Sequence, residues 1–179
     1  SFNDARQAAV HHGFPHFILD IREEFGDFVI ENFVEEYLAG RTPNPCVMCN
    51  THIKWRALLK RADAMGCDFI ATGHYAQVLQ HDNGRYFIRK GIDDTKDQSY
   101  ALWGLQQDLL SRTLLPLGTY HKKEIRQMAH DFGYPELAKK NESYEICFVP
   151  DNDYRGFLKR KVDGLQARVD GGNFVDKTG

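Results

Sequence analysis

Between residues 23 and 74 the chain alternates helical apolar stripes with a short strand-like run, and that rhythm restricts the fold more than any other feature. From Glu23 to Ala39, Phe25, Val29, Phe33, Tyr37 and Leu38 recur near helical spacing, acidic residues fill the gaps, and Gly40 stands where a C-terminal cap belongs. A loop, RTPNPCVMCN, follows and is too rich in proline to be read as helix or strand. Asn50 then offers a cap to a second helix, with Ile53, Leu58, Leu59, Ala62 and Met65 as its apolar stripe and Gly66 at its end. Asp68 to Thr72, DFIAT, reads as a strand that runs straight into Gly73 and His74. With a short helix from Asp4 to His12 and a buried strand from His16 to Ile21 in front, this is the order of a parallel α/β sheet. Ligands of such sheets sit at the carboxyl ends of the strands, where Gly73 and His74 fall.

The second half is less regular. Tyr75 to Lys90 predicts a hairpin turning at Asn83 and Gly84, and Leu105 to Arg112 a helix. After Leu114-Leu115-Pro116-Leu117-Gly118 the pattern becomes helical, with Ile125, Met128, Ala129 and Phe132 on one face, so a domain boundary is placed near residue 113. Glu145 to Val149 predicts a short strand, Asp153 to Lys161 a basic helix, and the closing GGNFVDKTG a strand cut off midway.

Composition bounds the function. A chain of 179 residues with 42% hydrophobic and 27% charged residues belongs to the ordinary globular class. It has neither a secretory leader nor an apolar run long enough to span a bilayer, which points to the cytoplasm and away from membranes. The formal charge of -2 argues mildly against a nucleic-acid partner, although Lys122, Lys123, Arg126, Lys139, Lys140, Arg155, Lys159, Arg160 and Lys161 crowd the second half. About half of these read as solvated helix faces.

The four cysteines carry the chemistry. In a reducing compartment they do not make a static disulfide frame. Cys49, directly before a helix capped by Asn50, has the setting of a stabilised thiolate more acidic than Cys67, which reads as a small buried hydrophobe. Cys46 and Cys49 form a C-x-x-C that is ambiguous between a redox pair, half a metal site and coincidence. No second C-x-x-C is present, so a closed zinc site cannot be assembled from cysteines alone and no metal site is assigned, but Cys46, Cys49 and Cys147 together could hold an iron–sulfur cluster with one open position. His74 could donate to a phosphate or a base; Lys96, Asp97 and Gln98 read by pattern as a solvated turn, and His11, His12 and His16 as surface residues.

GRTPNPCVMCN, ATGHYA, KDQSYAL, LPLG with KKEIR, and KKNESYEICFV, in that order, closely resemble the tRNA-specific 2-thiouridylases (the MnmA/TrmU family) along essentially the whole chain. The resemblance implies a Rossmann-like PP-loop α/β domain over residues 1–112, of which this is the later portion, and an incomplete central tRNA-binding α/β domain over 113–179. It implies ATP- and magnesium-dependent thiolation of the wobble uridine of lysine, glutamate and glutamine tRNAs, with adenylation of the C2 oxygen and delivery of sulfur from a persulfide. Cys147 matches the cysteine that receives the persulfide, from a sulfur-relay protein or a cysteine desulfurase. Cys49 matches the nucleophile that helps release the sulfur, through a transient disulfide. Gly73 matches a nucleotide contact, His74 a tRNA contact, Asn44, Pro45 and Cys46 the segment that meets the target base, and Lys96, Asp97 and Gln98 a tRNA-contacting loop.

Two departures stand out. Many members carry aspartate where this chain has Cys46, so an acid/base role does not transfer to it. The family's phosphate-cradling Ser-Gly-Gly-x-Asp-Ser loop and C-terminal β-barrel are not in these residues, so ATP is expected to be held mainly elsewhere and this piece alone to be inactive. A non-catalytic tRNA-binding module on the same scaffold is the alternative from another class.

Overall fold

Two long helices set back to back carry the site, and both are interrupted in the same way. The computed structural model describes residues 2–140, 146–169 and 178. Helix α1 (Phe2–His12) comes first. The strand expected from His16 to Ile21 does not form: Phe17, Ile18 and Leu19 are exposed, and no strand pairs with them among the described residues. An extended run becomes a strand only where another backbone accepts its ladder hydrogen bonds.

Helix α2 (Arg22–Phe25), a π-helical turn (Gly26–Ile30) and α3 (Glu31–Leu38) then run on without a break. Gly40, at φ 74°, closes them as expected, and Arg41 N–H reaches back to the Glu36 carbonyl at 2.8 Å. The proline-rich segment was expected to be a loop, yet α4 (Pro45–Met48) starts inside it and continues through a second π turn (Cys49–Lys54) into α5 (Trp55–Ala64). Proline at the first helical position gives up an N–H that has no partner there anyway. The cap is Asn44, whose side chain accepts from Val47 N–H at 3.4 Å, and not Asn50, which lies buried within the π turn.

Strand β1 (Ile70–Ala71) pairs in parallel with β4 (Thr113–Leu114), and β2 (Ala76–Gln80) pairs antiparallel with β3 (Tyr86–Lys90) in the expected hairpin, Ala76 opposite Lys90. The helix expected from Leu105 to Arg112 is confined to α6 (Gln107–Leu110). A 3-10 turn (Pro116–Thr119) leads into α7 (Lys122–Asp131), then α8 (Pro135–Lys139), α9 (Tyr154–Lys161) and α10 (Leu165–Val169). Ile146 to Val149 form a turn, not the strand expected over Glu145 to Val149; Glu145 and the closing residues expected as a strand, Thr178 apart, lie outside the described residues.

Two apolar clusters organise these elements. The first joins Trp55, Leu59 and Ala62 of α5 to Ile70, Ala76, Leu102, Leu105, Leu109 and Leu110. Trp55 is fully buried, and its indole N–H donates to the Thr113 hydroxyl at 2.7 Å, which donates in turn to the Leu109 carbonyl at 2.7 Å. The second cluster packs Phe33 of α3 against Leu158 and Leu165, with Ile146, Phe148 and Phe157 around them. It draws on both sides of residue 113, and so carries the segment around residue 147 onto the face formed by the two π turns.

Candidate functional site

A cavity of about 210 Å³ opens between the π turns, the end of β1 and the Ile146–Val149 turn, and Cys46, Cys49 and Cys147 all line it. Each arrives by a different route. Cys46 sits in the first turn of α4 and is exposed; Cys49 begins the π turn and is half-buried. Cys147 is placed by its neighbours. Val149 is 1% exposed and the Phe148 ring packs edge-on against Phe25 and Phe33, at 5.6 and 5.1 Å between centroids, which pins the turn to the helical face.

The expectation of an acidified Cys49 at a helix start is overturned. The helix starts at Pro45, so Cys49 lies a full turn inside it, away from the unpaired N–H groups. Burial pushes the Cys49 thiol up; the Lys54 ammonium pulls it back, and the Cys147 and Cys46 thiols raise it again. Partial desolvation against the cavity wall, and then Cys46, push the Cys147 thiol up as well, with backbone N–H groups and Lys54 opposing. The three sulfurs are therefore near enough to feel one another's charge. Cys67, expected to be buried, is exposed and stands apart from them, its thiol 4.0 Å from the Met65 carbonyl.

Lys54 is the residue that sequence reasoning missed. In an α-helix a residue five positions on is turned about 140° away. The π turn narrows that offset: Trp55 N–H bonds to the Asn50 carbonyl, five residues back, and Lys54 comes round to the cavity that Cys49 lines. Lys54 thus sets one positive charge beside a group of thiols.

His74 completes the wall near Lys54. Its Nδ1 lies 2.8 Å from the Thr72 hydroxyl and its ring 5.3 Å from that of Trp55. Burial, and then the Lys54 charge, lower its pKa from 6.5 to about 4, so the imidazole is neutral near pH 7. Gly73 sits at the strand end as expected; a Cβ there would make only ordinary contact with Leu117, at 3.6 Å, so the protein's own packing leaves the space beside it open to a ligand.

The Lys96–Gln98 segment divides. Gln98 lines the cavity and holds the strand end, its side-chain oxygen accepting from Tyr75 N–H at 3.0 Å. Asp97 is turned into its own loop. Burial would raise its carboxyl, but the Ser99 hydroxyl at 2.7 Å and the N–H groups of Gly91 and Ser99 outweigh that and hold it below the usual carboxylate range. Lys96 N–H donates to the Asp93 carbonyl at 3.0 Å, and neither Lys96 nor Asp97 lines the cavity. Asn44 spends its side chain on the cap, while Pro45 lines the cavity beside Cys46. His11, His12 and His16 are exposed, as expected.

All four cysteines are free thiols, so a standing Cys49–Cys147 disulfide is no feature of this structure. Among the described residues no three His, Cys, Asp or Glu side chains gather in a metal-binding arrangement, Cys46, Cys49 and Cys147 included. The described helices include none long and apolar enough to cross a membrane.

The family model for the tRNA methyl transferase HUP domain matches residues 1–151. The chain belongs to that family. Similar curated relatives are the tRNA-specific 2-thiouridylases MnmA of Amoebophilus asiaticus, 67% identical over 100% of this chain and 47% of the relative, and of Cytophaga hutchinsonii, 66% identical over 100% and 48%. The Salinibacter ruber MnmA is 63% identical over 98% of this chain and 46% of its own. The chain thus spans about half the length of these relatives. As a HUP-domain chain it has the α/β class expected of it, and its parallel β1–β4 pair fits a Rossmann-like PP-loop sheet.

Proposed function

We propose that the complete protein carrying this chain is a tRNA sulfurtransferase that converts the wobble uridine of lysine, glutamate and glutamine tRNAs to 2-thiouridine in the cytoplasm. The observation that carries this reading is the convergence of Cys49 and Cys147, distant in sequence, on one cavity beside Lys54. ATP, with magnesium, supplies the adenylyl group that turns the C2 oxygen into a leaving group. Gly73 faces the nucleotide, and His74, Gln98, Asn44, Pro45 and Cys46 meet the RNA, with Lys96 and Asp97 shaping the adjoining loop.

The sulfur chemistry balances on the two thiols. A relay protein or cysteine desulfurase leaves Cys147 as a persulfide, whose terminal sulfur attacks C2 as AMP departs. The Cys49 thiolate then attacks the Cys147 Sγ; the bond between the two persulfide sulfurs breaks, its electron pair leaves with the sulfur on the base, and a Cys49–Cys147 disulfide forms. A cellular dithiol reduces it. Lys54 opposes the burial that raises the Cys49 thiol, and so favours the thiolate that makes this attack.

The test uses Cys147→Ser and Cys49→Ser in the complete protein, reading 2-thiouridine in digested tRNA and persulfide on the intact protein by mass. Both variants should lose thiolation; of the two, only Cys49→Ser should carry sulfur on Cys147, as a persulfide without tRNA and as a covalent Cys147–S–S–tRNA adduct when tRNA and ATP are present. Continued thiolation by Cys147→Ser would end this reading. An iron–sulfur route is the alternative chemistry, and acid-labile sulfide with iron in anaerobically purified, active protein would select it. Tight tRNA binding with no thiolation in any preparation would select the non-catalytic module.

A further inference from the structure

The cavity wall holds a polar atom that no described residue answers. Asn50 is 2% exposed and lines the cavity next to Cys49. Its side-chain N–H donates to the Ala101 carbonyl at 3.1 Å, which fixes the amide orientation, because a carbonyl can only be met by the NH₂ end. Its Oδ1 is buried and accepts no hydrogen bond from any described residue. A buried acceptor left unmet is destabilising, so its retention calls for a donor that arrives from outside.

We propose that Asn50 Oδ1 is the acceptor that reads the N3–H of the target uracil and so makes this cavity specific for uridine. This rests on the functional reading above, which brings a uridine here. A uracil ring offers one N–H on its pairing edge, between two carbonyl oxygens, and a base drawn out of its stack is read on that edge. N3 is bonded to C2, the carbon that takes sulfur, so an acceptor held at N3 places C2 beside the thiol of the preceding residue, Cys49. Cytosine turns an acceptor lone pair towards Oδ1 at the same place, and the two would repel. An amide oxygen is too weak a base to remove the N3 proton, so Asn50 determines specificity and position, while the thiols do the chemistry.

The experiment uses the complete enzyme without ATP and a cognate anticodon stem-loop labelled with ¹⁵N at N3 of the wobble uridine. In a free loop that imino proton exchanges with water too fast to be seen. In the saturated wild-type complex it should appear, sheltered and bonded; with Asn50→Leu, similar in size but without the acceptor, it should vanish. Stem-loops carrying 3-methyluridine or cytidine at that position should bind the wild type roughly ten- to a hundredfold more weakly, and the variant should lose most of that difference. An imino signal absent from the saturated wild-type complex, or unchanged by Asn50→Leu, overturns the proposal, as does equal binding of the methylated loop. The wild-type measurements decide the matter even if Asn50→Leu fails to fold. Failure of the functional reading looks different: wild-type enzyme that neither binds nor thiolates the cognate RNA.

Discussion

At the residue scale the site is a contest between burial and one ammonium. Cys49 is pushed up by burial and pulled down by Lys54, so removing the charge leaves burial unopposed. Lys54→Met should raise the Cys49 thiol further and slow its alkylation several-fold near pH 8, with peptide mapping of the labelled protein as the readout; an unchanged rate would show that the ammonium does not act on the sulfur. Lys54 also helps to hold His74 near 4, against 6.5 in the unfolded chain. The sign follows. Between those values the unfolded chain binds a proton that the folded one does not, so stability falls as the pH drops from about 6.5 to 4 and is unaffected above. A shift of that size in a residue still partly open to solvent amounts to about 1–2 kcal/mol after screening. His74→Asn should flatten this limb of the urea-midpoint curve against pH, and in the wild type the ring should titrate by NMR well below an ordinary histidine.

At the scale of elements, close approaches decide what can be changed. A Cβ on Gly118 would run into the backbone carbonyl of Ala76, so the 3-10 turn rests against β2 only because that position has no side chain. Gly118→Ala should cost about 1–3 kcal/mol in urea unfolding, since backbone cannot move aside as a side-chain tip can. Legibility in the sequence followed the same division between local and distant causes. The hairpin, α3 and its Gly40 cap, and α9 with Asp153 were readable because their signals lie within a few residues. The strand at His16–Ile21 was not, since apolar residues alone cannot say whether a neighbouring strand is there to pair. The start of α4 was hidden by its prolines, one of which occupies the single helical position that favours it. Both π turns were invisible to a period of 3.6, and with them went the placement of Lys54 and Asn50. The cysteines of the site were legible from motif order, but that they share a cavity depends on packing between segments far apart in sequence.

At the scale of the whole molecule, the second apolar cluster is what turns two distant thiols into a pair. Cys147 belongs to no helix or strand and is held only through its neighbours. Phe148 meets Phe25, Phe33 and Phe157 with centroids 5.6, 5.1 and 5.4 Å away, and the next residue, Val149, is buried. Removing the Phe148 ring should cost roughly 1–3 kcal/mol, less than a fully buried phenylalanine because this one is half-buried. The larger effect should fall on encounter, since a released turn no longer holds Cys147 over the face that carries Cys49 and the effective concentration of one thiol at the other drops. With Cys46 and Cys67 replaced by serine in the complete protein, a mild oxidant should close the Cys49–Cys147 bridge at least several-fold more slowly in Phe148→Ala than in its parent. Modification of a surface thiol introduced elsewhere should keep its rate. Equal closure rates would mean that the turn is positioned by something other than the aromatic cluster, and the route by which α3 and α9 deliver Cys147 to the cavity would have to be abandoned.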